Sequence, residues 1–419
     1  MRSKQLLLLI ISLVVLVALS SFYLDLPWTT FFTRKQPAGP VEQPVLEDPD
    51  DNQDQIPDIR TARLVAVGDI IAHLTQVEQA STGSGYDFSP SFSFITPYLQ
   101  SADLTVGNFE TVLAGPEQGF SGYPNFNSPD ELAANLKQAG FDLVATANNH
   151  CLDMGIDGLF RTVNSLTGAG LKCFGTYRRP EDRHPLMVEI NGINISFIAY
   201  TQTTNGIPVP AGHEYAVNFI ENFTTIDPII EDISIARELG ADLVVLYIHW
   251  GHEYWLSPNE LQRNLAPRLA AAGADLIIGS HPHVMQPLEW ITVEQEDGSS
   301  RQSLVAYSLG NFISNQFYWE PYIPTPKVQY GLVVEVEITK DMHEGLTYIS
   351  QADYEITWVH RNWRHRILPL SEVLASSRPE EYNMTTEEYQ NVQAGFARLK
   401  DEVVEKYGFS LVPVGAANN

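Results

Sequence analysis

Short apolar runs alternate with amphipathic stretches from residue 63 onward, and this rhythm sets the first expectations. Arg63-Leu-Val-Ala-Val-Gly68 reads as a short buried strand. Comparable runs occur at Leu104–Gly107, Phe141–Thr146, Ile193–Tyr200, Asp242–Ile248 and Asp275–Ile278. Between them, three sets of apolar residues recur at helical spacing: Leu132, Leu136 and Ala139; Ile226, Ile230 and Ile233; Leu261, Leu265 and Leu269. Gly140, Gly240 and Gly273 each follow a helix and precede a strand, where a left-handed residue would release the chain. Such βαβ alternation predicts a largely parallel, helix-covered sheet. After residue 285 the pattern is mostly strand, through Ser303–Ser308 and Leu332–Ile338, suited to a second sheet or an edge. Residues 371–419 form a polar, helix-prone extension expected outside the core of a domain covering residues 61–370.

The first 24 residues differ from all that follows. A basic Met1-Arg-Ser-Lys4 leads into an apolar run, Leu6–Leu19, interrupted only by Ser12. With Ser20–Leu24 it approaches the roughly 20 residues that cross a bilayer as a helix. Ala18-Leu-Ser20 resembles a cleavage site, yet Phe22, Tyr23, Trp28, Phe31 and Phe32 extend the apolar character beyond it, which suits a retained anchor. Residues 25–60, rich in Pro, Gln and Asp towards their end, read as a solvated tether. The expectation is a single-pass N-terminal membrane anchor with the main domain outside the cytoplasm.

Charge narrows the partners. Against 51 Asp+Glu there are 25 Lys+Arg, a formal net charge of -26, so the surface repels phosphate backbones and nucleic acid is set aside. The two cysteines, Cys151 and Cys173, form no CxxC pair and are expected to pack as inert thiols.

The informative pattern is what stands where each strand ends. Ligand sites in open α/β sheets gather beyond the carboxyl ends of strands. Here those positions carry Asp69 with His73 close behind; Asn108 and Glu110; Asn149, His150 and Asp153; His249 and Glu253; His281 and His283; and Asn311. One such residue would be unremarkable, since a lone Asp after a strand is usually a helix cap. Five successive strand ends supplying Asp, Glu, Asn and His are hard to attribute to capping. Mixed imidazole and oxygen ligands without thiolate suit Mn, Zn, Fe or Co. His281 and His283 could not face the same way from a regular strand, so each could serve a different ion, with Glu110 as a natural bridge. Two divalent metal ions roughly 3.5 to 4 Å apart would activate a water and stabilise charge on a displaced group.

The ordered motifs Gly-Asp, Asn-x-Glu, Asn-Asn-His-x-x-Asp-x-Gly, His-Trp-Gly-x-Glu-Tyr, His-Pro-His-Val-x-Gln and Tyr-Ser-Leu-Gly-Asn-Phe resemble the CapA family of poly-γ-glutamate capsule synthesis proteins, relatives of the calcineurin-like metallophosphoesterases. That resemblance implies a metallophosphoesterase-like α/β/β/α sandwich with two central sheets. It implies one metal on Asp69, His73 and His283, a second on Asn149, His249 and His281, and Glu110 between them. His150, oriented by Asp153, would be the general acid or a transition-state donor; Asn108, Glu253 and Asn311 would line the site. It also implies capsule-polymer synthase subunits and an anionic polymer, or its precursor, as partners. Two departures stand out. The first motif is spaced Asp-x-x-x-His rather than Asp-x-His, and Ser314-Asn315-Gln316 replaces a Phe-Asp-Gln found in many members.

Three other readings carry consequences. Ala306-Tyr-Ser308-Leu-Gly310 is a relaxed form of a nucleophile elbow, but no clear helix follows it, so Ser308 is read as turn chemistry. Metals that only organise a non-catalytic assembly or export subunit are the main rival to hydrolysis. An acidic chain would also repel an anionic polymer unless the two ions, with Arg361, Arg364, His365 and Arg366, reverse the local sign.

Overall fold

The computed structural model describes residues 58–295, 298–317, 323–405 and 410–411. The expected membrane segment, most of the tether and the middle of the aromatic loop between Phe317 and Pro326 lie outside the described residues. The localisation expectation is corrected to what the structure describes: among the described residues no helix is long and apolar enough to cross a membrane.

Four parallel strands open the first sheet: β1 (Ile59–Ile70), β2 (Leu104–Phe109), β3 (Leu143–Ala145) and β4 (Lys172–Phe174). The second sheet takes β5 (Leu186–Ile190), β6 (Ile193–Thr201), β7 (Leu243–His249), β8 (Leu276–Ser280), β9 (Met285–Glu294) and β10 (Ser300–Leu309), in the order β5-β6-β7-β8-β10-β9. The chain then returns to the first sheet with β11 (Asn311–Ile313), β12 (Tyr330–Asp341), β13 (Leu346–His360) and β14 (Arg366–Pro369). β12 pairs antiparallel with β1, so Leu332–Ile338 completes the first sheet while Ser303–Ser308 lies within the second. That antiparallel partner also explains why β1 starts at Ile59, inside the expected tether. Its first residues are exposed, and backbone pairing with Lys340 and Asp341, rather than apolar burial, holds them.

Alternation of side chains across each strand builds the layers. On β1, Leu64 and Ala66 face the second sheet, meeting Phe197, Val245, Tyr247 and Ile278 in the inner core. Val65 and Val67 face the other way, onto Leu132, Leu136 and Ala139 of α2 (Glu131–Ala139), which follows the short α1 (Leu74–Ala80). α3 (Gly155–Gly168) adds Leu166 to that outer layer. On the second sheet, Val244, Leu246 and Ile277 meet α4 (Asp227–Glu238) and α5 (Glu260–Ala272). Strands buried on both faces read as unbroken apolar runs, which is why they were legible. Gly140 and Gly273 end α2 and α5 in the left-handed region, and Gly240 lies just past α4 with φ 87°, as their positions predicted.

Two expectations about faces need correction. Ile230 is 38% exposed, and the buried stripe of α4 is Ile229, Ile233 and Ala236. The expected set placed Ile230 inward on i, i+4 spacing alone, where the true stripe leans one residue back. The C-terminal extension is no surface appendage either. α6 (Leu370–Ser376) and α7 (Thr386–Leu399) contribute Leu370, Val373, Val392 and Leu399 to the inner core cluster, and Val403 and Val404 join them just beyond. Few apolar residues suffice because β13 and β14 leave an open end there to cover.

Backbone contact ties the late strands to β1. Asp69 donates its N–H to Gly310 O at 2.9 Å, and a Cβ on Gly68 would overlap that carbonyl. Gly68→Ala is therefore expected to cost about 2 kcal/mol through overpacking against backbone, checked by urea unfolding. Glu355 on β13 is wholly buried and accepts N–H bonds from Ile356 and Ser371, yet burial pushes its carboxyl up from 4.5 to about 7. Between those values only the folded chain keeps the proton, so this group's contribution falls as pH rises, by up to about 3 kcal/mol. Unfolding curves from pH 5 to 8 should show the decline in wild type and a flatter profile in Glu355→Gln.

Candidate metal centre

The carboxyl ends of strands from both sheets meet at one rim. Asp69 lies next to the end of β1, in register with Asn108 on β2 and Asn311 on β11. Glu110 follows β2 directly, Asn148–His150 follow β3, His249 ends β7, and His281 and His283 follow β8. His281 and His283 sit at φ 95° and 56°, so the segment is bent, not the extended strand assumed from alternation. The bend puts the His281 ring 4.7 Å from His249, with 6.1 Å between the rings of His281 and His283. Non-glycine residues at positive φ cost energy and persist where surrounding structure enforces them.

Asp69 and Glu110 form the floor, both with zero exposure. The Asn108 amide sits between them, donating to Asp69 Oδ1 at 2.9 Å and Glu110 Oε2 at 3.0 Å. Asn148 holds Asn108 in turn, donating to its Oδ1 at 3.2 Å. His283 Nδ1 lies 3.0 Å from Asp69 Oδ2. His249 contacts Ser280 Oγ through Nδ1 at 2.9 Å and Asn149 Oδ1 through Nε2 at 3.0 Å. Glu110 Oε1 is 3.8 Å from a ring nitrogen of both His249 and His283 and has no hydrogen-bond partner. His281 Nδ1 is likewise buried and unpartnered. Asp69, Glu110 and His249 offer ligand atoms within 4.8 Å of one another, as do Glu253, His281 and His283.

Burial dominates the electrostatics. It raises the Glu110 carboxyl well above its usual range, and the neighbouring Asp69 and Glu253 charges add to the rise. It drives His249 far below its normal value and His281 down to about 3, helped by the other imidazoles. Burial works the same way on His283, but the hydrogen bond and charge of Asp69 outweigh it and lift that ring. Neutral imidazoles beside crowded carboxylates are the protonation state that cations bind. The orphaned Glu110 oxygen, the orphaned His281 nitrogen and the thiolate-free donor set fit a hard-to-borderline divalent metal.

The remaining sequence candidates sit around this floor. His150 Nδ1 lies 2.8 Å from Asp153 Oδ2, an oxygen that also accepts the Phe126 N–H at 2.7 Å. His73 belongs to neither group of ligand atoms; its Nδ1 accepts the Asn315 N–H at 3.2 Å, and burial pushes the ring down to about 3. The Phe126 ring stands between His73 and His150, edge-on to both. Asn311 donates to Gln316 Oε1 and Val328 O. Glu253 is exposed at the mouth. Arg361 and His365 reach the rim through Asn315 Oδ1, but burial lowers the His365 ring to about 3, Arg364 bonds Gln79 O and Arg366 packs over Trp363, so these last three do not add charge there. Ser308 is buried, its oxygen taken by the Gly310 N–H in a turn. Both cysteines are free thiols raised to about 12 by burial.

Sequence reasoning passed over Ser280 and Phe126. Ser280 had a signal, lying directly before His281 in a strand-end motif. Phe126 had none, since its loop carries no periodicity and meets the site only through tertiary contact.

Comparison with known proteins agrees with the motif order. The chain is 30% identical over 277 residues to the capsule biosynthesis protein CapA of Bacillus anthracis, covering 64% of this chain and 63% of that one, so the match spans less than two thirds of that relative. It is 29% identical to the PGA biosynthesis protein CapA of Bacillus subtilis (strain 168), over 67% of this chain and 71% of that one. Among solved structures, the calcineurin-like phosphoesterase YfkN of Bacillus subtilis aligns over 71% of this chain and 90% of its own, at 15% identity and a TM-score of 0.41. Residues 63–316, more than half of the sequence and every strand end described above, match the model of the bacterial capsule synthesis protein family PGA_cap, and the chain belongs to that family.

Proposed function

We propose that this protein works in the biosynthesis of a capsular or surface poly-γ-glutamate polymer, through a two-metal hydrolase-type centre. The names of its two Bacillus relatives support the process. One observation carries the chemistry: Glu110 Oε1, buried and unpartnered, equidistant from the nitrogens of His249 and His283. An isolated buried carboxylate oxygen is costly unless something positive meets it. Asp69 and His283 would hold one divalent ion, Asn149, His249 and His281 the other, and Glu110 would bridge them, with His73 at the edge of the first. Mn, Zn, Fe or Co each suit the donors.

Such ions would acidify a bound water and offset charge on the group being displaced. The chain's own residues do the rest. Asp153 fixes the His150 tautomer by accepting from Nδ1, which leaves the Nε2 lone pair to take up a proton and, from the resulting imidazolium, deliver it to a leaving oxygen or nitrogen. The Phe126 N–H holds Asp153 in place, and the Phe126 ring screens one side of His150 from water. Asn108 keeps both floor carboxylates aimed by sharing its amide between them. Glu253 would contact substrate at the mouth, while Asn311, fully buried with its amide held by Gln316 and Val328, would line the site from behind. Bound cations would also let a chain of net charge -26 accept an anionic polymer or its precursor. Synthase subunits of the same polymer would be the partners.

Elemental analysis of the purified protein should find about two divalent ions per chain, fewer in Asp69→Ala and in His283→Ala, with chelation lowering Tm. An unchanged metal content in both variants would sink the assignment. His150→Gln should keep the metals and Tm while turnover of bis-nitrophenyl phosphate falls ~10²- to 10⁴-fold. A metal-loaded wild type inert on phosphoesters and on γ-glutamyl amides would instead make the centre structural, serving an assembly subunit.

A further inference from the structure

Ser280 touches the metal centre, yet nothing in the chemistry proposed above uses it. It ends β8 as His249 ends β7, and the two residues lie opposite each other in the parallel register. The pleat therefore puts hydroxyl and imidazole on one face, side by side. Both are buried, at 3% and 1% exposure. Ser280 Oγ lies 2.9 Å from His249 Nδ1, and among the described residues this is the hydroxyl's only hydrogen bond. The Asn108 amide nitrogen also stands 3.5 Å from Nδ1, but it already donates to Asp69 and Glu110 at 2.9 and 3.0 Å. An amide has two N–H groups, so none is left for the ring. What Nδ1 carries is set by Ser280.

The other nitrogen of the ring meets the opposite demand. Nε2 lies 3.0 Å from Asn149 Oδ1 and 3.8 Å from Glu110 Oε1. An amide oxygen only accepts, so Nε2 in this pairing is an N–H, Nδ1 holds the lone pair, and Ser280 donates to it. Ligation requires the reverse. Asn149 and His249 are assigned above to the same ion, and a cation is held by lone pairs. Nε2 must then be bare, and in a neutral ring the proton stands on Nδ1. A carbonyl or carboxylate, the common partner of a ligating histidine, could only accept from that nitrogen. A hydroxyl serves both states, donating to a bare Nδ1 and accepting from an Nδ1–H.

We propose that Ser280 is a positioning residue that lets His249 exchange its tautomer as a divalent ion binds. Ser280 donates to Nδ1 in the metal-free chain and accepts from Nδ1–H in the metal-loaded one. The ring loses a proton from Nε2 and gains one at Nδ1 by way of solvent, so its charge does not change. This rests on the metal centre proposed above and deepens it. The metal-free pairing keeps Asn149 and His249 together, ready for the ion. A cation on Nε2 polarises the ring and strengthens the Nδ1–H bond, so loss of the hydroxyl weighs on the loaded form.

Titration of the chelator-stripped full chain with Mn²⁺ tests this by calorimetry. Wild type should bind two ions. Ser280→Ala should weaken one of them about 10- to 100-fold and leave the other, on Asp69 and His283, unchanged. Ser280→Thr, which returns a hydroxyl, should recover most of that loss. Long-range proton–nitrogen spectra of histidine-labelled protein read the tautomer itself, with His249 identified by the signals missing in His249→Gln. The metal-free chain should show Nε2–H, and the Zn²⁺-loaded chain Nδ1–H. Unchanged Mn²⁺ affinity in Ser280→Ala overturns the role of Ser280, as does one His249 tautomer in both states. A Ser280→Thr chain with wild-type Tm that still binds as weakly as Ser280→Ala overturns it too. Each of these leaves the metal centre standing, whereas a wild type that takes up no Mn²⁺ removes the centre and this role together.

Discussion

Two carboxylates held dry, close together and joined by a single shared amide are the constraint on which this structure turns. Asp69 and Glu110 have no exposure, and Asn108 can neutralise only part of their mutual repulsion through two hydrogen bonds. In a low-dielectric interior that crowding forces proton uptake, as the raised Glu110 carboxyl shows, or calls for cations. The imidazoles of His249 and His281 are kept neutral by burial, so they present lone pairs instead of competing charges, while Asp69 lifts the ring of His283. Floor and walls together form a buried Asp/Glu/His cluster consistent with metal binding.

Holding that arrangement requires two sheets rather than one. Asp69, Glu110 and Asn149 come from the first sheet, His249, His281 and His283 from the second. Their relative position depends on the inner core, where Leu64 and Ala66 pack against Val245 and Tyr247. The crossing of β10 into β11 adds a direct link, because Gly310 accepts the Asp69 N–H and Asn311 pairs with Asp69 in register. The missing side chain at Gly68 is what lets these backbones approach. Stability of the sandwich and geometry of the centre are therefore one problem.

The C-terminal helices extend this logic. They bury Leu370, Val373, Val392 and Leu399 against the end of the first sheet. Asn315 accepts from Arg361 and contacts His365. An amide at this position joins Arg361 and His365 to the rim without adding a further negative charge to those of Asp69, Glu110 and Glu253.

Much of this was legible in the chain because local physics acts locally. Strands buried on both faces had to be apolar throughout, helices covering them had to show a stripe, and Gly140 and Gly273 had to stand where only a left-handed residue ends a helix economically. The ligand-type residues were visible because they interrupt apolar runs at strand ends. The assignment of β12 to the first sheet, the inward face of α4 and the burial of the C-terminal helices were not visible, since each depends on which distant strand lies alongside. Nor could spacing show that His281 and His283 occupy a bend, or that Phe126 stands beside His150. Sequence alone determined which groups could hold cations; only the packing of one sheet on the other decided that Glu110 lies between His249 and His283, because that distance is set by the core and by no neighbour along the chain.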